Sequence, residues 1–317
     1  MNESPTTSPI NLTRPAGALV DLAVVIVNYN VAALLRRCLE TLFASQGAFS
    51  LAVIVVDNHS ADESVAMLRQ EFPQVQLIAN ATNRGYAEAN NQGLRQAGVN
   101  TPTPPRYSLL LNPDTELLPT SLADSLAYMD AHPEVGVMGP RLLLPNGQLD
   151  LACRRAFPTP EVSFYRMLGL SQLFPKSRRF GRYNLTYLDE HELHEVDTVV
   201  GAYMLVRTAA IQQAGLLDEQ FWMYGEDIDW AKRIKNHGWK IIYNPGVVAY
   251  HVKRASSRQN RRAQSEFYRA MLIFYYKHYY AQTPIWLHSL IVLGVAIKGG
   301  PAVWRDVWAG PHILHPG

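Results

Sequence analysis

An α/β fold, with a mostly parallel sheet covered by helices on both faces, is predicted by two observations. Apolar, largely β-branched or leucine-rich runs at Leu22 to Val27, Leu51 to Val56, Val75 to Ile78 and Tyr107 to Leu111 alternate with segments of helical periodicity. Strands that are apolar throughout, instead of on alternate residues, are those buried on both sides. In or near the strand exits lie polar clusters, Asn28-Tyr29-Asn30, Asp57-Asn58, Asn83-Arg84 and Asn112-Pro113-Asp114. Ligands of such sheets bind at the carboxyl ends of the strands, so the four clusters should face one crevice.

The elements follow in order. After the first strand, Leu34, Leu35, Cys38, Leu39 and Leu42 mark one side of a helix. After the second, Ser60 and Glu63 have the spacing of a capping box for a helix through Phe72. A third helix is expected over Ala87 to Ala97, then a Pro-rich turn at Thr101 to Pro105 before the fourth strand. From Pro140 to Val196 the periodicity weakens and Arg, Pro and aromatic residues dominate, with Arg154-Arg155 and Lys176 to Arg179 prominent. Regularity returns with a strand over Thr198 to Val206, a helix near Thr208 to Ala214, a loop at Gly225 to Asp229 opening a helix, and a strand at Lys240 to Tyr243. Solenoid-type repeats are absent.

The 317 residues, 48% hydrophobic and 18% charged, are ordinary for a globular enzyme. A net charge of +2 argues against nucleic acid as the main partner. Cys38 and Cys153 lie far apart without metal-ligand spacing, which favours a reducing compartment and no disulfide. Residues 1–20, rich in Ser, Thr and Pro, lack the basic start and apolar core of a signal peptide and read as a disordered lead. Pro284 to Ile297 is mostly apolar, but such a helix covers roughly 21 Å of a hydrocarbon core about 30 Å thick, which suits an interfacial position better than a span.

Several residues carry chemistry. Asp57 is placed to accept hydrogen bonds from a base or ribose, or to serve as a turn residue. Arg84 beside Gly85 suits phosphate or base recognition, or a solvated turn. Pro113 stiffens the exit of a buried strand and leaves Asp114 at the crevice, where a hard cation shares carboxylates with phosphates. Glu226, Asp227 and Asp229 crowd three carboxylates into four residues at a helix start, where capping competes with a role as general base. His251, after Val247 to Tyr250, is a competent ligand for a Mn²⁺-like metal or a structural histidine. Converged, these groups are equipment for moving a group off a nucleotide diphosphate.

Together they resemble the family 2 glycosyltransferases of the GT-A fold, and within them the bacterial rhamnosyltransferase-like branch that builds cell-surface polysaccharides. The resemblance runs from about Val24 to Tyr280. It rests on Val25 to Asn30, Val56 to Ser60, Asn83 to Ala87, Leu111 to Asp114, Gly201-Ala202-Tyr203 and Leu217 to Asp229. It implies a GT-A-type, Rossmann-like domain over 21–253, with a nucleotide half to about 115 and an acceptor half beyond, followed by a helical region over 254–317. Asn28, Tyr29, Asn30, Asp57, Asn83, Arg84 and Asn112 would hold the nucleotide, and Asp114 and His251 a divalent metal, Mg²⁺ or Mn²⁺. Asp227, with Glu226, would be catalytic, and Gly201, Trp222 and Asp229 would lie on the acceptor side.

The implied reaction is inverting transfer of a sugar, rhamnose among the candidates, from a nucleotide-diphosphate donor to a glycan or lipid-linked acceptor. Such an enzyme would be cytoplasmic and peripheral at the inner face of the membrane. Asn28 departs from the commoner Thr, and Asn112 from an Asp found in other branches, which leaves Asp114 as the single carboxylate ligand. Arg154 to Arg182 resembles the acceptor region. Arg254 to Arg269, with Arg258, Arg261, Arg262 and aromatics through Tyr276, reads either as a membrane-surface helix or as a helix packed on the catalytic domain. A sugar nucleotidyltransferase and an inactive sugar-nucleotide-binding module are the alternatives.

Overall fold

The computed structural model describes residues 20–252 and 261–314, without the side chains of 261–263. The lead before Val20 and the side chains of Arg254, Arg258, Arg261 and Arg262 fall outside that description.

Among the described residues nine strands form one sheet: β1 (Leu22–Asn28), β2 (Leu51–Asp57), β3 (Gln76–Ala79), β4 (Tyr107–Leu111), β5 (Thr115–Leu117), β6 (Val135–Leu143), β7 (His194–Glu195), β8 (Tyr203–Arg207) and β9 (Lys240–His251). Their order is β3-β2-β1-β4-β8-β6-β9-β5, with β7 also on β9. The first four strands are mutually parallel, as are β6 and β9, and the antiparallel β8 joins the two groups. Every residue of β1 and β4 is buried, as their unbroken apolar runs require. The helix Ala32–Phe43 packs Leu35, Cys38, Leu39 and Leu42 against the sheet, with Leu34 half-buried at the edge of that stripe.

Three local differences from expectation have physical causes. Helix Ser64–Glu71 forms without the capping box, because Ser60 Oγ instead accepts from Asn28 Nδ2 and Asn30 N, at 3.1 and 2.9 Å. The strand expected from Thr198 starts only at Tyr203, since Val200 to Tyr203 turns beneath Tyr86. The expected strand at Lys240 and the run before His251 are one strand, β9, which slips register against β6 between Asn244 and Val248 and ends paired with β5.

The C-terminal helices Arg261–His278, Ile285–Gly299 and Pro301–Ala309 share a small core, with Phe274, Tyr275 and Tyr276 packed alongside Phe221 and Ile228. For these aromatics the packed-helix reading is the one observed. No helix among the described residues is long and apolar enough to cross a membrane.

Candidate active site

Register brings the polar clusters level. In β1 and β2, Asn28 pairs with Asp57, and in β1 and β4, Ile26 pairs with Leu111, so Asn112 leaves the sheet at the same edge. Antiparallel β8 enters there, with Tyr203 opposite Leu111, and delivers Gly201 and Ala202. Above this edge lies a cavity of about 1070 Å³ lined by Tyr29, Asn83, Asn112, Asp114, Gly201, Trp222, Glu226, Asp227 and His251 among others.

Asp227 sits in the first turn of helix Glu226–Asn236. Its Oδ2 accepts from Arg155 Nη2 at 2.6 Å and from Gly201 N at 3.2 Å, and its Oδ1 from Ile228 N at 2.8 Å. A carboxylate has about four lone-pair sites, so acceptor capacity remains for a ligand hydroxyl. Arg155 is buried, is tied to Val199 O at 2.9 Å and lines the cavity. Burial alone would lower its pKa, but Asp227 and Tyr183 together outweigh burial and raise it, so the guanidinium stays charged. Beside this pair, burial and then the Asp227 charge push Glu226 up to about 8. Its Oε2 is buried with no hydrogen-bond partner among the described residues.

Asp114 and His251 meet because β5 and β9 pair with Thr115 opposite His251 and Val252 N donating to Asp114 O. His251 Nε2 lies 3.3 Å from Asp114 Oδ1, and Nδ1 lies 2.9 Å from Asp150 Oδ2. Asp150 follows β6 and caps the next turn at Ala152 N. An imidazole backed by a carboxylate on its far nitrogen, next to a second carboxylate, suits a divalent metal. Among the described residues no three His, Cys, Asp or Glu side chains form a complete cage. Two protein ligands with the rest from water and phosphate is the way Mg²⁺ is commonly held. Asn112 is no strong candidate ligand, since its Oδ1 lies 3.0 Å from the Tyr86 hydroxyl.

Other expected residues are placed differently. Asp57 is almost wholly buried and accepts from Asn28 Nδ2 and Ser60 N, at 2.8 and 2.9 Å, so Asn28 and Asp57 lock two loops together beneath the cavity. Asn30 continues that lock through Ala61 N, and Arg84 pairs on the surface with Glu88. None of these four lines the cavity. Asn83 does, and its Oδ1 accepts from Gly85 N at 3.0 Å. Gly85 has φ +86°, and a Cβ there would lie 2.5 Å from Trp222 Cδ1, so glycine lets Trp222 close on the loop. Asp229, expected on the acceptor side, is fully buried and does not line the cavity; it is bonded to Arg233, Lys277 and His278. Sequence reasoning missed Asp150 and the Arg155 partnership. Arg154-Arg155 stood out in an irregular stretch, but nothing local named its partner.

The family model for glycosyl transferase family 2 matches residues 23–199. A curated relative, the N-acetylglucosaminyl-diphospho-decaprenol L-rhamnosyltransferase of Mycobacterium tuberculosis (strain CDC 1551 / Oshkosh), is 28% identical over 241 residues, 74% of this chain and 77% of that protein. Among solved structures, GalNAc-T7 with UDP, GalNAc and Mn²⁺ aligns at TM-score 0.58 and 14% identity, over 93% of this chain and 55% of that one. The mannosyltransferase PcManGT from Pyrobaculum calidifontis, with GDP-Man and Mn²⁺, aligns at TM-score 0.55 and 16% identity, over 96% of this chain and 79% of that one. At these identities the two structures speak for the fold alone, which is GT-A.

Proposed function

Because the chain belongs to glycosyl transferase family 2 and is a glycosyltransferase, we propose that it transfers a sugar with inversion from a nucleotide-diphosphate donor to a lipid-linked glycan at the cytoplasmic face of the membrane. Rhamnose is the first donor sugar to test, given what the mycobacterial relative's name says of that protein. The carrying observation is that Asp227 and the Asp114–His251 pair line one cavity.

In this reading the nucleotide half is 21–115 and the acceptor half 116–253. Asp114 and His251 would hold a divalent metal, Mg²⁺ or Mn²⁺, which when bound would supply positive charge against the leaving diphosphate. Arg155 and Gly201 N–H hold Asp227 in place. Asp227 takes the proton of the acceptor hydroxyl, whose oxygen bonds to the anomeric carbon as the bond to the diphosphate breaks on the opposite face. In this reading Tyr29, Asn83 and Asn112, which line the cavity, contact the nucleotide, and Gly201 and Trp222, which line it too, contact the acceptor.

The test is a panel of nucleotide sugars with Mg²⁺ or Mn²⁺, scored for binding, nucleotide release and product stereochemistry. Asp227→Asn should retain donor binding and lose turnover by about 10²- to 10⁴-fold. Absence of binding and release with every donor overturns the proposal.

A further inference from the structure

The C-terminal helices present an apolar face that the catalytic fold does not use. On Ile285–Gly299, Val295 is buried in the small core, while Trp286, Leu290, Leu293 and Ile297 are exposed. That spacing sets the four exposed side chains in a single stripe along the helix. Trp304 and Trp308, one turn apart on Pro301–Ala309, add to it, and Trp308 is 87% exposed. Trp304 Nε1 donates to Ala296 O at 3.2 Å, tying the two helices together.

A third helix adjoins. Lys298 Nζ donates to Met167 O at 3.3 Å, next to helix Pro160–Met167 with its exposed Phe164. Arg166 of that helix lines the cavity, as does Tyr268, which packs under Gly299. The face therefore adjoins the cavity.

The charge pattern indicates the partner. From Phe267 to Arg305 the chain has no Asp or Glu, while Lys298 and Arg305 are exposed there and Lys176, Arg178 and Arg182 are exposed after the third helix. An apolar, Trp-bearing stripe flanked by cations is the form of a helix lying in an anionic lipid interface. Asp306 on the second helix pairs with Arg269, so a two-fold contact with a second copy would set a mainly cationic face against itself. We infer that the exposed face of helices 285–299 and 301–309, with Phe164, is a docking surface for an anionic bilayer, holding the cavity beside the headgroups. This deepens the lipid-linked reading of the acceptor and rests on it only for the purpose of docking.

The full chain is sedimented with vesicles of phosphatidylcholine alone or mixed with phosphatidylglycerol. It should pellet with the mixed vesicles and less so in high salt. Leu290→Gln with Leu293→Gln and Ile297→Gln should lower partitioning about tenfold or more, and Lys298→Gln and Arg305→Gln about fivefold each. Because these side chains are exposed, thermal unfolding and nucleotide release in solution should be unchanged. Docking is read without turnover, so an inactive chain that still pellets supports the surface while counting against the transferase reading. The inference is overturned if the parent stays in the supernatant, if the variants pellet equally, or if the stripe variants instead abolish a concentration-dependent dimer that does not bind vesicles.

Discussion

The imidazole of His251 is held from both sides, by Asp114 and Asp150. Burial alone would lower its pKa, but those two hydrogen bonds outweigh burial and raise it to about 9. Coordination requires the neutral ring, so Mn²⁺ binding, followed by electron paramagnetic resonance, should strengthen as pH rises from 6.5 towards 9. Asp150→Asn should weaken Mn²⁺ binding about 10- to 100-fold and move its pH midpoint down, which a merely structural defect would not do. Glu226 offers a separate test. Its folded pKa of about 8 exceeds the ordinary 4.5, so the folded state keeps a proton that the unfolded chain gives up. Stability is thus lost as pH rises through that window, and His251 adds a loss in the same direction. Urea unfolding of Glu226→Gln should show a smaller decline between pH 5 and pH 9 than the parent, by on the order of 1 kcal/mol or more. Asp114, Asp227 and His251 were legible in the sequence because each interrupts an apolar or helical pattern at a strand exit or helix start. Asp150 was not, because its partner lies 101 residues on.

At the scale of elements, the helix Glu226–Asn236 serves two regions at once. Asp227 faces the cavity, while Asp229 anchors the C-terminal helix through Lys277 and His278. Burial would raise the Asp229 pKa, but the His278 hydrogen bond, Arg233 and Lys277 outweigh it and hold it down at about 2, below the ordinary 3.8. The stabilisation is present above 3.8 and disappears as pH falls through about 2. Asp229→Asn should cost about 1.5–3 kcal/mol at neutral pH by removing the charged hydrogen bonds to the half-buried Arg233, Lys277 and His278, and it should flatten the acid limb of a thermal-unfolding profile. The three crowded carboxylates were visible in the sequence. Their division between site and scaffold was not, since it follows from which side of the helix meets Arg155 and which meets Lys277. Likewise β1, β2 and β4 were legible from their unbroken apolar runs, whereas β6 contains Gly136, Gly139 and Pro140 and gave no such run. Gly139 is small because a Cβ there would lie 2.7 Å from Val199.

For the whole molecule, the C-terminal helices complete the catalytic part. Phe221 and Ile228 are covered by the core they share with Ala270, Ile273 and Phe274. A chain truncated after Val252 should expose that apolar surface, bind a hydrophobic dye and unfold at lower temperature than the full chain, both measurable in one thermal scan. The parallel sheet and its crevice followed from the alternation of elements. The antiparallel insertion of β8 between β4 and β6 did not, because strand order depends on long-range packing that leaves little local trace.

The pairing of β5 with β9 also sets an order of assembly. Asp114 leaves β4 early in the chain, yet its partner is the last residue of the last strand. Contacts this distant in sequence form slowly. On the proposed metal site, capture would wait until β9 has joined both β6 and β5, and tight Mn²⁺ binding would then report completed folding. A nascent or partly refolded chain would hold the ion no better than an isolated carboxylate.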